Sequence, residues 1–92
     1  MLIWDEDKRW ANILKHGIDF AELDLIFDLP MVTVEDNTLD YGERRLRSLG
    51  WFRGKVVVLI WSDNDGCARL ISCRNGGRHE TREYFKKALL ST

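Results

Sequence analysis

The first third of the chain places apolar residues at helical spacing. After a short apolar start at residues 2–4, Asp5 and the two acidic residues that follow it suit the positive end of a helix. The apolar stripe that follows is formed by Trp10, Ile13 and Leu14. Gly17 supplies a C-terminal cap, so the pattern predicts a first helix that ends at about Lys15.

A second helix start follows this glycine. Asp19 and Glu22 have the spacing of a capping box. Ile18 and Leu23 flank this pair at the positions of a hydrophobic staple. Because Pro30 lacks an N–H and cannot continue a helix, we expect a second helix of about eight residues that stops before it.

The rest of the chain has the pattern of strands and turns. Apolar or alternating runs separated by turn residues predict strands at residues 31–35, 44–51, 56–61 and 67–74. The run at 56–61 is apolar throughout, which indicates a central strand that is buried on both faces. A polar loop is expected at 36–42, a hairpin turn at 63–66 and a last helix at 78–90.

This order of elements predicts an α+β fold, with a small antiparallel sheet, two N-terminal helices and a C-terminal helix that packs across the sheet. The chain has 92 residues, enough for one hydrophobic core, so residues 1–92 should form a single domain. Hydrophobic residues make up 45% of the chain, which argues against disorder. No apolar run has the length of a membrane span or signal peptide, and we expect a cytoplasmic protein.

The cysteines and histidines give no sign of a cross-link or a metal centre. Cys67 and Cys73 lie on one predicted strand, with their Cα atoms about 20 Å apart, which is too far for a disulfide bond. The chain has two histidines and no CxxC pair, so a structural zinc site is not expected. The sequence therefore predicts a protein with no metal and no cofactor.

The net charge is −1, but the charges are segregated along the chain. Residues 1–42 carry three Lys/Arg and ten Asp/Glu, a net charge of −7. Residues 43–92 carry eleven Lys/Arg and five Asp/Glu, a net charge of +6. A fold that keeps the halves apart would present a basic face to phosphates, whereas one that interleaves them would neutralise both. The sequence leaves both arrangements open.

Cations are concentrated in residues 69–84, which cover the end of a predicted strand, two glycines and the start of the last predicted helix. Arginine has a planar fork of donors that matches phosphate oxygens, although such a run can also be merely solvated. Arg69 and Arg74 are an odd number of residues apart, so a regular strand places them on opposite faces unless a bulge intervenes. We favour Arg74, at the strand end, for contact with a substrate and keep Arg69 as the second choice.

Five further side chains are candidates for acid–base or binding chemistry. Lys15 and His16 end the first helix, where a cation either caps the negative helix end or acts on a substrate. Glu43 and Arg45 are two residues apart on one face of a predicted strand, which suits either a positioned base or an ordinary ion pair. Tyr84 follows a carboxylate by one helical turn and could serve phosphoryl chemistry.

Three short motifs occur in order along the chain. They are Lys15-His16-Gly17-Ile18, Gly42-Glu43-x-Arg45 and Arg69-x-Ile71-Ser72-x-Arg74. Around them stand Trp4, Asp5, Lys8, Asn12, Phe20, Glu80 and Tyr84. Together these residues resemble the BrnT family of bacterial type II toxins over nearly the whole chain. The resemblance implies a RelE-like ribonuclease toxin fold, RNA cleavage without a metal, and neutralisation by a BrnA-type antitoxin, with DNA bound only through that antitoxin.

The resemblance also implies a mechanism in which the RNA 2′-hydroxyl attacks the adjacent phosphate. His16 or Glu43 would be the base, and Arg45 and Arg74 would stabilise the charge of the transition state. Binding, orienting or proton-donating roles would fall to Lys15, Arg69, Arg78 and Tyr84. Cleavage would inhibit translation and growth.

A second class of function remains open. Asn75, Gly76 and Gly77 stand where the family commonly has a more basic run, so the chain could be an attenuated toxin. It would then be a module that binds RNA or a protein without cutting, and its arginines would give only salt-sensitive affinity.

Overall fold

Five strands form one sheet in the computed structural model, which describes residues 1–36 and 44–89. The strands are β1 (Leu2–Trp4), β2 (Val32–Asp36), β3 (Arg45–Phe52), β4 (Lys55–Asn64) and β5 (Cys67–Asn75). Their order across the sheet is β1-β5-β4-β3-β2. The helices are α1 (Glu6–His16) and α2 (Arg78–Tyr84), and α2 continues as a π-helical segment, Phe85–Leu89.

The fold is α+β as predicted, but the sheet is mixed. Strands β2 to β5 form the expected antiparallel meander. Strand β1 extends it in parallel with β5, with Leu2 opposite Ala68 and Trp4 opposite Leu70. The prediction of an antiparallel sheet is therefore wrong at this edge, because a strand of three residues carries too little pattern to indicate its neighbour.

The prediction of a second N-terminal helix is also wrong. The segment forms two short 3₁₀ turns, Phe20–Glu22 and Ile26–Asp28. Its buried side chains are Phe20, Leu23 and Ile26. They are three residues apart, which is the repeat of a 3₁₀ helix and not of an α-helix. Asp19 does cap the first turn by accepting a hydrogen bond from the N–H of Ala21, so the start signal is genuine and only the helix type differs.

Two tight turns connect the central strands. Arg53 and Gly54 join β3 to β4 with φ angles of 50° and 77°, and Asp65 and Gly66 join β4 to β5 with φ angles of 52° and 86°. Positive φ at both central residues is typical of the type I′ turn, whose twist matches that of the strands beside it. The hairpin turn predicted at residues 63–66 is thus confirmed.

The centre of the sheet is buried on both faces, as the apolar run of β4 predicts. Val57 and Leu59 pack on one face against the 3₁₀ turns and β5. Val56 and Val58 pack on the other face, where α2 contributes Tyr84. Within the described residues, α2 packs at the end of the second face that Val56 and Val58 form. The other end of that face, toward the end of β4, is available for a site.

Candidate nucleic-acid interface

The last strand contains a β-bulge. Ile60 of β4 lies opposite Ser72, but the next residue, Trp61, lies opposite Leu70. Strand β5 therefore has one residue more than β4 at this point, and Ile71 is that residue. An extra residue reverses the alternation of faces along the strand.

The bulge brings Arg69 and Arg74 to the same face of the sheet. Arg69 lies opposite Ser62, and Arg74 lies opposite Val58. These two β4 residues are four positions apart, so they point the same way, and their partners do too. The expectation of opposite faces is corrected by the bulge. Arg74 is exposed and Arg69 is half-buried, as their positions on the strand predict.

Strand β3 adds two more arginines to this face. Arg45 lies opposite Ser62, and Arg47 lies opposite Ile60. We call the resulting surface the arginine face, defined by Arg45, Arg47, Arg69 and Arg74. Sequence reasoning overlooks Arg47 as a site residue, although its two-residue spacing from Arg45 indicates a shared face.

Glu80 of α2 fixes the orientation of the Arg74 guanidinium. Its carboxylate accepts hydrogen bonds from Nη1 and Nη2 of Arg74 at 3.1 and 2.7 Å, and from the N–H of Gly77 at 2.7 Å. These hydrogen bonds, above all those from Arg74, lower the pKa of Glu80 from 4.5 to about 2. The positive charge of Arg47 also lowers this pKa. Arg74 is thus held in place while 45% of its side chain stays exposed.

The Arg74 guanidinium keeps two donors for a ligand. Its Nη1 also donates to the carbonyl of Asn75 at 3.2 Å, so the described contacts use both N–H groups of Nη1 and one of Nη2. Among the described residues, the Nε–H and the second N–H of Nη2 have no partner. These two donors form a fork that can bind two oxygens of one phosphate.

Asn12 attaches α1 to the edge of β5 beyond the end of β1. Its amide donates hydrogen bonds to the carbonyls of Ile18 and Cys73 and accepts one from the N–H of Cys73, each at 2.9 Å. Strand β1 pairs with β5 only as far as Leu70, so Asn12 takes the place of the missing strand neighbour. It thereby sets the position of the end of α1.

This attachment places Lys15 and His16 next to the bulge. Both line an open cavity of about 290 Å³ together with Ile71 and Ser72. Ser72 lies opposite Ile60 and so belongs to the same side of the sheet as the arginines. The two predicted residues therefore lie at the edge of β5, beside the arginine face and not within it.

The other three predicted site residues are placed differently. Tyr84 is 2% exposed, stacks on Trp51 and donates a hydrogen bond to the carbonyl of Pro30 at 2.9 Å. Its placement is that of a core residue, where desolvation raises the pKa of its hydroxyl, and gives no support to a role in proton donation. Arg78 is exposed in the first turn of α2. Glu43 lies outside the described residues.

Ser62 is a residue of this face that sequence reasoning does not single out. It is 2% exposed and lies between Arg45 and Arg69 on the neighbouring strands. Within the described part of the chain its hydroxyl has no hydrogen-bond partner. The signal for it in the sequence is a small polar residue that ends the apolar run of β4.

The fold and the site together define a small α+β domain with a cationic sheet face. In residues 1–36 and 44–89, no group of three His, Cys, Asp or Glu side chains is placed to hold a metal ion, and no helix there is long and apolar enough to cross a membrane.

The family of BrnT ribonuclease toxins of type II toxin–antitoxin systems matches residues 4–80. The chain belongs to this family, which confirms the resemblance carried by the three motifs and implies a protein antitoxin as its partner. A comparison with curated proteins gave no match.

Proposed function

We propose that this chain is a metal-independent endoribonuclease that cleaves RNA on the arginine face and thereby inhibits translation and growth. The observation that carries the proposal is the convergence of four arginines from β3 and β5 on one face, with Arg74 held by a carboxylate. Fixed guanidinium groups on a sheet suit the phosphates of a single RNA strand. Membership of the BrnT family extends the proposal to a RelE-like fold and a BrnA-type antitoxin.

The reaction needs charge stabilisation at one phosphate. The RNA 2′-oxygen attacks the adjacent phosphorus and the bond from phosphorus to the 5′-oxygen breaks, which leaves a 2′,3′-cyclic phosphate and a 5′-hydroxyl. The pentacoordinate species on the way carries additional negative charge on its oxygens. The open fork of Arg74 binds this charge, and Glu80 keeps the fork in one orientation, so little reorganisation is needed.

Two proton transfers accompany these steps. Either His16 or Glu43 takes the proton from the 2′-hydroxyl, since His16 lies beside the arginine face and Glu43 precedes β3 by two residues. The departing 5′-oxygen takes a proton from solvent water. The backbone of the RNA is bound by Lys15, Arg45, Arg69 and Arg78. Tyr84 has no part in this scheme, because its hydroxyl is already bonded in the core.

The test is cleavage of an end-labelled RNA by the purified protein in excess EDTA, followed by analysis of the fragment ends. We expect cleavage to continue and to leave a 2′,3′-cyclic phosphate. Binding without cleavage would indicate the attenuated module. Activity that EDTA abolishes and Mg²⁺ restores would contradict metal independence.

The same proposal has a consequence in cells. Expression of the chain alone should arrest bacterial growth, and co-expression of its antitoxin should restore growth. Normal growth at a verified level of the protein would count against a toxin role.

A further inference from the structure

A groove lies on the sheet face opposite to the arginines. Its volume is about 630 Å³; the fully buried Phe20 lines it, and so do three further aromatic rings: Trp4, Phe27 and Trp61. All three are only partly buried, and the Phe27 and Trp61 rings meet edge to face with centroids 5.0 Å apart. Rings that stay partly open to solvent at a concave site can receive an apolar side chain of a partner.

The rim of this groove is acidic. Asp24, Asp28 and Asp63 line it and are exposed, and no Lys or Arg is among the described residues that do so. Within the described part of the chain, the carboxylates of Asp24 and Asp28 have no ion-pair or hydrogen-bond partner. From the described residues, Asp63 accepts only a 3.4 Å hydrogen bond from the N–H of Gly66. This contrasts with Asp19, which is paired with Arg9 at 2.7 Å.

The charge of the groove determines which macromolecule it suits. Carboxylates around an apolar concavity repel the phosphates of RNA, whereas they attract Lys and Arg side chains, which can also lie over the aromatic rings. A type II toxin has a protein antitoxin, so a protein segment that carries both cations and an apolar residue is the occupant that fits.

We propose that this groove is the docking site for a basic segment of the antitoxin. An apolar side chain of that segment lies among the three rings, and its Lys or Arg side chains pair with Asp24, Asp28 and Asp63. The proposal follows from family membership and does not depend on RNA cleavage. Since the groove and the arginine face lie on opposite sides of the sheet, RNA and the antitoxin segment contact different residues.

The experiment measures the affinity of the full-length toxin for its purified antitoxin by calorimetry. The variant with Asp24→Asn, Asp28→Asn and Asp63→Asn should bind at least about tenfold more weakly, because three partly exposed ion pairs are lost. The loss should shrink as salt is added, since salt screens exposed pairs. Ala21 also lines the groove and is exposed, so Ala21→Lys should weaken binding in the same direction.

A matched control removes the same charge elsewhere. The variant with Asp7→Asn, Glu35→Gln and Glu83→Gln changes three acidic residues outside the groove and should keep its affinity within about threefold. Unchanged affinity in the groove variant, or an equal loss in both variants, would overturn the proposal. RNA cleavage by the same variants is measured separately and should not change. A groove variant that loses cleavage but keeps antitoxin affinity would assign the groove to the substrate and also overturn the proposal.

Discussion

The pair formed by Arg74 and Glu80 should leave a pH signature in the stability of the protein. The pKa of Glu80 is about 2 in the folded chain, below its ordinary value of 4.5, so the ionised carboxylate is favoured by the fold. The stabilisation is complete above pH 4.5 and is lost as the pH falls toward 2. We expect Glu80→Gln to lower the melting temperature at neutral pH and to approach the wild type at low pH. Thermal melts across this range check it, and a difference that does not change with pH contradicts it.

The identity of the base can be decided between two residues. His16 lies at the edge of β5, and Glu43 precedes Arg45, a member of the arginine face. Removal of a positioned base should lower the cleavage rate by at least about 100-fold, while removal of the other residue should cost less than about tenfold. Rates for His16→Ala and Glu43→Ala, with a melt for each variant, make the assignment. A small and equal loss in both variants would exclude both from this role.

Helix α1 depends on one buried amide. Asn12→Ala removes the hydrogen bonds to the N–H and the carbonyl of Cys73 and leaves these buried groups without partners. We expect this to lower the free energy of unfolding by about 2–4 kcal/mol. Leu14→Ala on the same helix is the control, because Leu14 is 87% exposed and its removal should cost less than about 0.5 kcal/mol. Urea unfolding measures both, and equal costs would contradict the role of Asn12.

Strand positions and turns were predictable from the chain, while the details that assemble the site were not. The apolar run of β4 and the residues of the tight turns indicate their own conformation, because alternation and positive φ are local properties. The bulge at Ile71 is not local. Isoleucine suits a regular strand, so the residue type at this position does not indicate the extra residue. The 3₁₀ turns likewise follow from packing of Phe20 into the core, which the capping signal of Asp19 does not reveal.

The charge segregation along the chain survives in the folded molecule. The basic half supplies the arginine face, and the acidic half supplies Asp24 and Asp28 to the groove on the other side of the sheet. Motif resemblance and spacing predict Arg45, Arg69 and Arg74 as site residues, whereas the place of Arg47 on this face follows from the register of β3 with β4. Tyr84 is buried in the core, which the sequence does not indicate, because helical spacing shows which residues share a face but not whether that face is buried.

This separation of charge predicts where RNA binds. A short uncleavable RNA should cross-link to β3, to β5 and to the first turn of α2, because phosphates follow the positive surface. Mapping of the adducts by mass spectrometry checks this. Adducts concentrated in residues 19–28 would show that the acidic side contacts the substrate and would contradict the prediction.

The most direct test compares two arginines that are alike except for their place in the fold. Arg74 and Arg53 are both exposed and are paired with Glu80 and Glu22 respectively, but only Arg74 lies on the arginine face. We expect Arg74→Ala to lower the rate of RNA cleavage by at least about 100-fold and Arg53→Ala to change it by less than about threefold, with both variants folded at the assay temperature. Equal rates for the two variants would contradict a catalytic role for the arginine face.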